Sequence, residues 1–285
     1  MDPVLVIGAT GRVGRVVVDQ LVEAGVPVRA LTRRPAAAEL PAAVEVVPGD
    51  LTLPESLDAA LQRVSAVFLV WTAPPATAPA LVTRLATRAR HVVFLSSPHR
   101  TPHPFFQQPN PLAVLHADIE RLIAATGVTS TIIRPGMFAS NVLAWWSAQM
   151  RHDDVVRWPY GEAETAPIDE RDIAAVAVRA LLEDRHAGGD YVLTGPESLS
   201  QAAQVSIIGA AIGRRIRFEE VSPADFRRET AGRWPGSVVD MLLAAWGAAI
   251  GQPAFVTSTV ADIVGSPPRT FRQWALDHRA AFLEP

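Results

Sequence analysis

Residues 4–15 read VLVIGATGRVGR, a short apolar run that breaks on three glycines, Gly8, Gly11 and Gly14, and continues into a helical pattern from Arg12 to Ala24. An apolar run of this length, too short for a core helix and flanked by glycine, reads as a strand covered on both faces. The first glycine permits a tight turn, the second lets the backbone come close to a diphosphate, and the third lets the helix pack against the strand. The first amides of that helix then face the negative charge. The spacing alone also fits a purely structural turn; its place between a strand and a helix is what points to a dinucleotide.

Outward from this turn the pattern repeats. PVRALT (27–32), VEVVPGD (44–50), SAVFLVW (65–71) and HVVFLSS (91–97) are further strand candidates, and helices are expected over Leu53–Arg63 and Ala76–Arg90. Alternation of this kind predicts parallel βαβ units, about five strands in the first half of the chain. After the proline-rich loop 96–111 come a helix over Leu112–Thr126 stopped by Gly127, a strand in STIIRPG (130–136), a helix in DERDIAAVAVRALLED (169–184) and a strand in GGDYVLTG (188–195). The expected class is α/β, a Rossmann-type parallel sheet flanked by helices. A nucleotide-binding core spans 1–155, and residues 156–285 return elements to it and form a small, mainly helical substrate cap. Val239, Leu242, Leu243, Trp246 and Ile250, and then Phe271, Trp274 and Phe282, repeat at spacings that suit packing of that cap.

Composition narrows the chemistry. The 26 basic and 29 acidic residues of the 285 give a net charge of −3, which gives no support to wholesale nucleic-acid binding. All 26 basic residues are arginine and cysteine is absent, so lysine bases, Schiff bases, disulfides and thiolate chemistry are excluded together. Proton transfer falls to His, Tyr, Asp, Glu or solvent. No apolar run reaches the ~18 residues of a membrane span, and a cytoplasmic location is expected.

ALTRRP (30–35) ends the second strand without the carboxylate that an NAD-selective site often uses for the ribose. Arg33 instead suits a ribose 2′-phosphate, with Arg12 as a second fork, and NADP is the expected cofactor. The alternative is that the arginines only solvate a strand end. Asp50 and Leu51 are placed for the adenine, or for a strand-terminal cap. Trp71, Thr72 and Ala73 after the fourth strand, and Ser96 and Ser97 after the fifth, point to the same crevice, where the nicotinamide half belongs. His99 and His103 lack a convincing third ligand, so no metal is expected. Asp169, Glu170, Arg171 and Asp172 suit a helix cap.

The combination GATGRVGR, LTRRP, PGDLTLPESLDAAL, AVFLVW, VVFLSS, LHADIERLIAATGVTSTIIRPGMFASN and DERDIAAVAVRALL resembles the atypical short-chain dehydrogenase/reductase superfamily, in its NmrA-like and triphenylmethane-reductase-like branch, over about residues 3–220. The resemblance implies an NAD(P)-binding sheet with Gly8, Thr10, Gly11, Arg12, Val13 and Gly14 as the dinucleotide loop, Arg33 as the phosphate reader, and Asp50 and Leu51 at the adenine. It also implies that Ser96 and Ser97 lie near the nicotinamide, and that Pro135, Met137, Phe138 and Asn141 form the loop between cofactor and substrate. His116 and Glu120 fall where relatives carry a Lys or His followed by a Glu. The Tyr-x-x-x-Lys pair of ordinary dehydrogenases is missing: Leu112 stands in the tyrosine position relative to His116, and neither Tyr160 nor Tyr191 has a lysine four residues on.

His116 exchanges protons near neutral pH, Glu120 at i+4 shares its helix face and suits an orienting role, and Ser96 or Ser97 suits polarisation of a substrate oxygen. His116 could equally be a structural hydrogen-bonding residue. MFASNVLAWW (137–146) reads as an apolar ligand wall including Trp145, or as an anchor for the cap. The expected activity is NADPH-dependent hydride transfer to a small apolar or aromatic electron-poor acceptor such as a quinone. A non-catalytic NADP-binding redox sensor and a sugar-nucleotide-like isomerase are the alternatives. The expected partner is a small molecule, without direct nucleic-acid or membrane contact; a monomer and a homodimer are both compatible with the sequence.

Overall fold

The computed structural model describes residues 2–283. Strands β1 (Val4–Ile7), β2 (Val28–Thr32), β3 (Glu45–Pro48), β4 (Ala66–Val70), β5 (His91–Leu95) and β6 (Thr129–Pro135) alternate with helices α1 (Arg12–Glu23), α2 (Ala78–Ala86) and α3 (Pro111–Thr126). Then follow α4 (Asn141–His152), β7 (Val155–Trp158), β8 (Glu164–Thr165), α5 (Glu170–Leu182), β9 (Asp190–Leu193), β10 (Leu199–Ser200), α6 (Gln201–Ala211), β11 (Arg217–Glu220), α7 (Pro223–Thr230), α8 (Gly236–Ala249), α9 (Thr259–Val264) and α10 (Phe271–Asp277). The main sheet is parallel throughout, in the order β3-β2-β1-β4-β5-β6-β9. The chain thus reverses direction across the sheet between β1 and β4, and such a switch point opens a crevice beyond the carboxyl ends of those strands. Among the described residues no helix is long and apolar enough to cross a membrane.

Both faces of the sheet are buried, as a parallel sheet requires. Val4 and Val6 of β1 join Val13, Val17 and Leu21 of α1 and Ile173 and Val176 of α5 on one face. Leu5 and Ile7 join Leu81 and Leu85 of α2 and Ile119 and Ile123 of α3 on the other. A third core, separate from these two, is built by α4 and β7 together with the C-terminal elements, and Trp146, Trp246, Trp274, Phe271 and Phe282 are fully buried in it. Phe271, Trp274 and Phe282 therefore pack the cap.

One expected helix does not form. Over Leu53–Arg63 only a single 3₁₀ turn, Pro54–Leu57, appears, followed by turns. The backbone here closes mostly in three-residue turns (Ser56 N–H to Leu53 O, Asp58 N–H to Glu55 O, Gln62 N–H to Ala59 O), and Arg29 from β2 fastens the end of the segment to the sheet through the carbonyls of Ala60 (2.9 Å) and Gln62 (2.7 Å). The helix expected over Ala76–Arg90 is shorter, Ala78–Ala86, and is entered through a 3₁₀ turn at Pro75–Thr77.

The contact between α1 and β1 leaves no room for a side chain. A Cβ on Gly14 would lie 2.1 Å from the carbonyl oxygen of Gly8, and Gly8 itself has φ +87° with its would-be Cβ 2.8 Å from that of Val70. Gly14→Ala is expected to destabilise the fold by about 1–3 kcal/mol, the usual cost of overpacking. Gly236→Ala, at the open start of α8 with nothing within 4 Å of the new atom, is expected to be neutral or mildly stabilising. Thermal unfolding of the two variants checks the contrast.

Candidate active site

The start of α1, like those of α4 and α8, carries no side-chain cap, unlike those of α3, α5 and α6. Asn110 caps α3, Asp169 caps α5 and Ser200 caps α6 with side-chain oxygens. Gly11 at the head of α1 offers no side chain, and no acidic residue lies in the first turn. Its orphan amides and the positive end of the helix dipole lie at the switch-point crevice. Thr10 and Gly11 are exposed at the tip of the turn, and Val13 is buried beneath it. This cradle fits a diphosphate.

Arg33 stands exposed at the end of β2, and its charge reaches Asp50, whose carboxylate accepts from the Thr52 amide (2.8 Å) and hydroxyl (2.9 Å). The Thr52 hydrogen bonds, with help from Arg33, hold the Asp50 carboxyl below its ordinary range. Leu51 is buried against the sheet. Arg12 does not join Arg33: its guanidinium donates to the carbonyl (3.2 Å) and hydroxyl (3.1 Å) oxygens of Ser140, turning toward the start of α4. The idea of a second fork on the same phosphate is therefore not met in this arrangement. After β4 the buried indole of Trp71 donates to the carbonyl of Ala73 (2.6 Å) and shapes the loop, while Thr72 is exposed.

Beyond the carboxyl end of β5 lies a cleft of about 310 Å³ lined by Ser96, Ser97, His99, Phe105, Phe106, Leu112, His116, Pro135, Met137, Phe138, Asn141 and Leu242, among others. It brings together most of the residues expected there. Leu112 stands at its rim, and no hydroxyl replaces the missing tyrosine. Asn141 donates its amide to the Met137 sulfur (3.0 Å), which fixes the loop after β6. Phe138 pairs with Ile168 and packs against the core.

Trp145 is not part of this cleft. Its ring stacks on Trp158 (centroids 6.0 Å apart) and meets Trp246 edge-on (5.4 Å), and it lines a separate cavity of about 270 Å³ with Arg157 and Trp234. Aromatic packing within the cap draws the side chain away from the ligand wall.

Glu120 also departs from expectation. Rather than holding His116, its buried carboxylate accepts two hydrogen bonds from Arg134 (Nη1–Oε1 2.7 Å, Nη2–Oε2 2.8 Å) and one from the Ser96 hydroxyl. Arg134, 1% exposed, also donates to Asp190 (Nε–Oδ1 2.5 Å) and to the carbonyl of Ser97 (3.0 Å). Burial alone would raise the Glu120 carboxyl; Arg134 and Ser96 override it and hold the group ionised. The Ser96 proton is thus committed to Glu120, while the Ser97 hydroxyl lies 3.4 Å from the His99 ring nitrogen.

His116 lies edge-on to Phe94 (5.7 Å, 82°) with its Nδ1 buried and without a partner. Burial pushes its pKa down to about 4 against the attraction of Glu120, so the ring is neutral at pH 7.

Several residues of the cleft are not apparent from the sequence pattern. Phe105 and Phe106 come from the proline-rich loop, whose irregular backbone carries no period, and Met241 and Leu242 come from α8, more than a hundred residues away. Arg134 did carry a signal: an arginine inside an apolar strand needs a buried acid.

The NmrA-like family profile matches residues 1–235. The chain is 37% identical over 286 residues to a (4-alkanoyl-5-oxo-2,5-dihydrofuran-3-yl)methyl phosphate reductase of Streptomyces griseus, covering 98% of this chain and 99% of that protein. It is 34% identical over 289 residues to an NAD(P)H azoreductase of Xenophilus azovorans, covering 98% and 99%. The crystal structure of an NADPH-dependent quinone oxidoreductase from Escherichia coli superposes with a TM-score of 0.80 at 24% identity, over 95% of this chain and 98% of that one.

Removing Arg134 alone would strand a buried carboxylate. Arg134→Met is expected to cost about 3–5 kcal/mol of stability, and the double variant Arg134→Met/Glu120→Gln to cost less than the single one. Denaturant unfolding of the three proteins checks this order.

Proposed function

The chain belongs to the NmrA-like family, and on that premise we propose that it is an NADPH-dependent reductase acting on a small apolar or aromatic electron-poor acceptor such as a quinone. The observation that carries this reading is the junction of two features. An uncapped helix start suits a diphosphate, and beyond the ends of β5 and β6 in the same sheet lies an apolar cleft holding a neutral histidine and the Ser97 hydroxyl.

The amides at the head of α1 would hold the diphosphate, Arg33 the 2′-phosphate, Asp50 and Leu51 the adenine end, and Ala73, Ser96 and Pro135 the nicotinamide end. The cofactor supplies a hydride when bound there. The residues of the chain do the rest. Phe105, Phe106, Met137 and Leu242 provide apolar walls that suit a planar acceptor and exclude water. We assign the His116 proton to Nε2 on hydrogen-bonding grounds, since a buried orphan N–H at Nδ1 is costlier than a buried lone pair. A neutral His116 then polarises a substrate oxygen as a hydrogen-bond donor, and the Ser97 hydroxyl supplies the proton that a neutral acceptor takes up with the hydride. Ser96 acts through its bond to Glu120, holding the end of β5 in place. The Tyr-Lys pair that an isomerase or alcohol dehydrogenase of related fold would use has no counterpart in the cleft.

Oxidation of NADPH with menadione as acceptor, followed by loss of dihydronicotinamide absorbance, tests the reading. Saturable turnover is expected, whereas saturable NADPH binding without turnover on quinones, azo compounds or conjugated lactones would replace the enzyme by a cofactor sensor. His116→Leu is expected to lower kcat by ~10–100-fold with the cofactor Kd unchanged, and His116→Gln, which keeps an N–H donor, to lose less. Arg33→Ala is expected to weaken NADPH binding about tenfold, roughly 1.4 kcal/mol, with little effect on NADH; calorimetric titration with both cofactors checks the difference.

A further inference from the structure

We propose that His99 is the proton reservoir behind Ser97, reloading its hydroxyl each time a neutral acceptor is protonated; this rests on the reductase reading above. The geometry sets the ring between two acceptors and beside the hydroxyl. His99 Nδ1 lies 3.1 Å from the Ser97 carbonyl oxygen and 3.4 Å from Ser97 Oγ, while Nε2 lies 3.8 Å from Glu120 Oε2. An imidazolium serves both ring positions at once, giving one N–H to Ser97 and turning the other toward the Glu120 carboxylate.

The surrounding charges come from every element packed on the ring. Glu120 and His116 face it from α3, Arg134 from β6 with Nη1 3.4 Å from Nδ1, and Arg100 from its own loop, 3.5 Å from Glu120. Asp190 of β9 closes the set through Arg134 and Arg100. Two carboxylates offset two guanidiniums, and His116 is neutral, so the proton on His99 is the one net charge that this cluster can gain or lose. Burial, Arg134 and Arg100 lower the His99 pKa while Glu120 opposes them, leaving it below its ordinary value.

Reduction of a neutral quinone consumes a hydride and one further proton. The anion formed takes its proton from Ser97 Oγ, the Ser97 alkoxide takes one from His99 Nδ1, and solvent returns it to the ring, so each turnover consumes one proton from water. Reduction of a cationic triarylmethyl acceptor forms a neutral product with the hydride alone and draws on no proton. The two acceptors therefore separate a relay from a structural role for His99.

Menadione and crystal violet serve as the probes. In the unmodified protein, menadione turnover is expected to fall as the pH rises above the His99 pKa, because the imidazolium form is lost, and to slow in deuterium oxide; crystal violet turnover is expected to do neither. In His99→Gln the ratio of menadione to crystal violet turnover is expected to drop at least about tenfold, with the pH limb removed. The imidazole NMR resonance missing from that variant identifies His99, and its titration in the unmodified protein should give a pKa below 6.5 that coincides with the kinetic limb. A ratio unmoved by the substitution, a pH limb shared by both acceptors, or an NMR pKa that misses the limb would overturn the relay. If the variant does not fold, the pH, isotope and NMR measurements on the unmodified protein decide the matter. Inactivity of that protein toward both acceptors would instead overturn the reductase reading, and the relay with it.

Discussion

The close approach of α1 to the end of β1 sets Gly14 against the carbonyl of Gly8. Everything beyond the switch point depends on this contact. It brings the first amides of a helix to the carboxyl edge of a parallel sheet, and the glycine at its head leaves those amides without a side-chain partner. The helices α3, α5 and α6 satisfy their first amides with Asn110, Asp169 and Ser200, whereas α1 has no such side chain. The positive end of α1 is thus kept free at some expense to local stability, and the apolar layers on both faces of the sheet offset that cost.

A second constraint organises the other end of the crevice. Arg134 is buried in β6 and can be tolerated there only because Glu120 and Asp190 neutralise it with good geometry. The same ion pair ties α3 to β5 through Ser96 and carries a branch to the Ser97 carbonyl and His99. The polar side of the cleft is consequently rigid, and its groups are set by one network rather than independently. Opposite it lie walls from the proline-rich loop and from α8, which give the cleft its apolar character.

The fold was legible because β1, α1 and their glycines carry a strong local pattern, and because burial on both faces leaves short apolar strands that read clearly. The Leu53–Arg63 segment has a helical apolar spacing, yet its backbone closes mostly in three-residue turns and its end is fastened to Arg29, distant in sequence. The lining of the cleft was legible where residues end a strand or follow it, as at Ser96, Ser97, Pro135 and Met137. It was not legible where a side chain's direction depends on tertiary partners. Arg12 turned to Ser140, Trp145 joined the cap aromatics, and Glu120 found Arg134 rather than His116. His116 itself falls in the cleft, but its neutrality arises from burial, which no spacing reveals.

Cofactor binding is decided at the head of α1. A crystal structure of the protein with NADP bound should place the diphosphate oxygens within hydrogen-bonding distance of the backbone amides of Arg12 and Val13, with the 2′-phosphate beside Arg33. A bound cofactor whose diphosphate lay away from those amides, or crystals grown in saturating NADP with that turn empty, would contradict it.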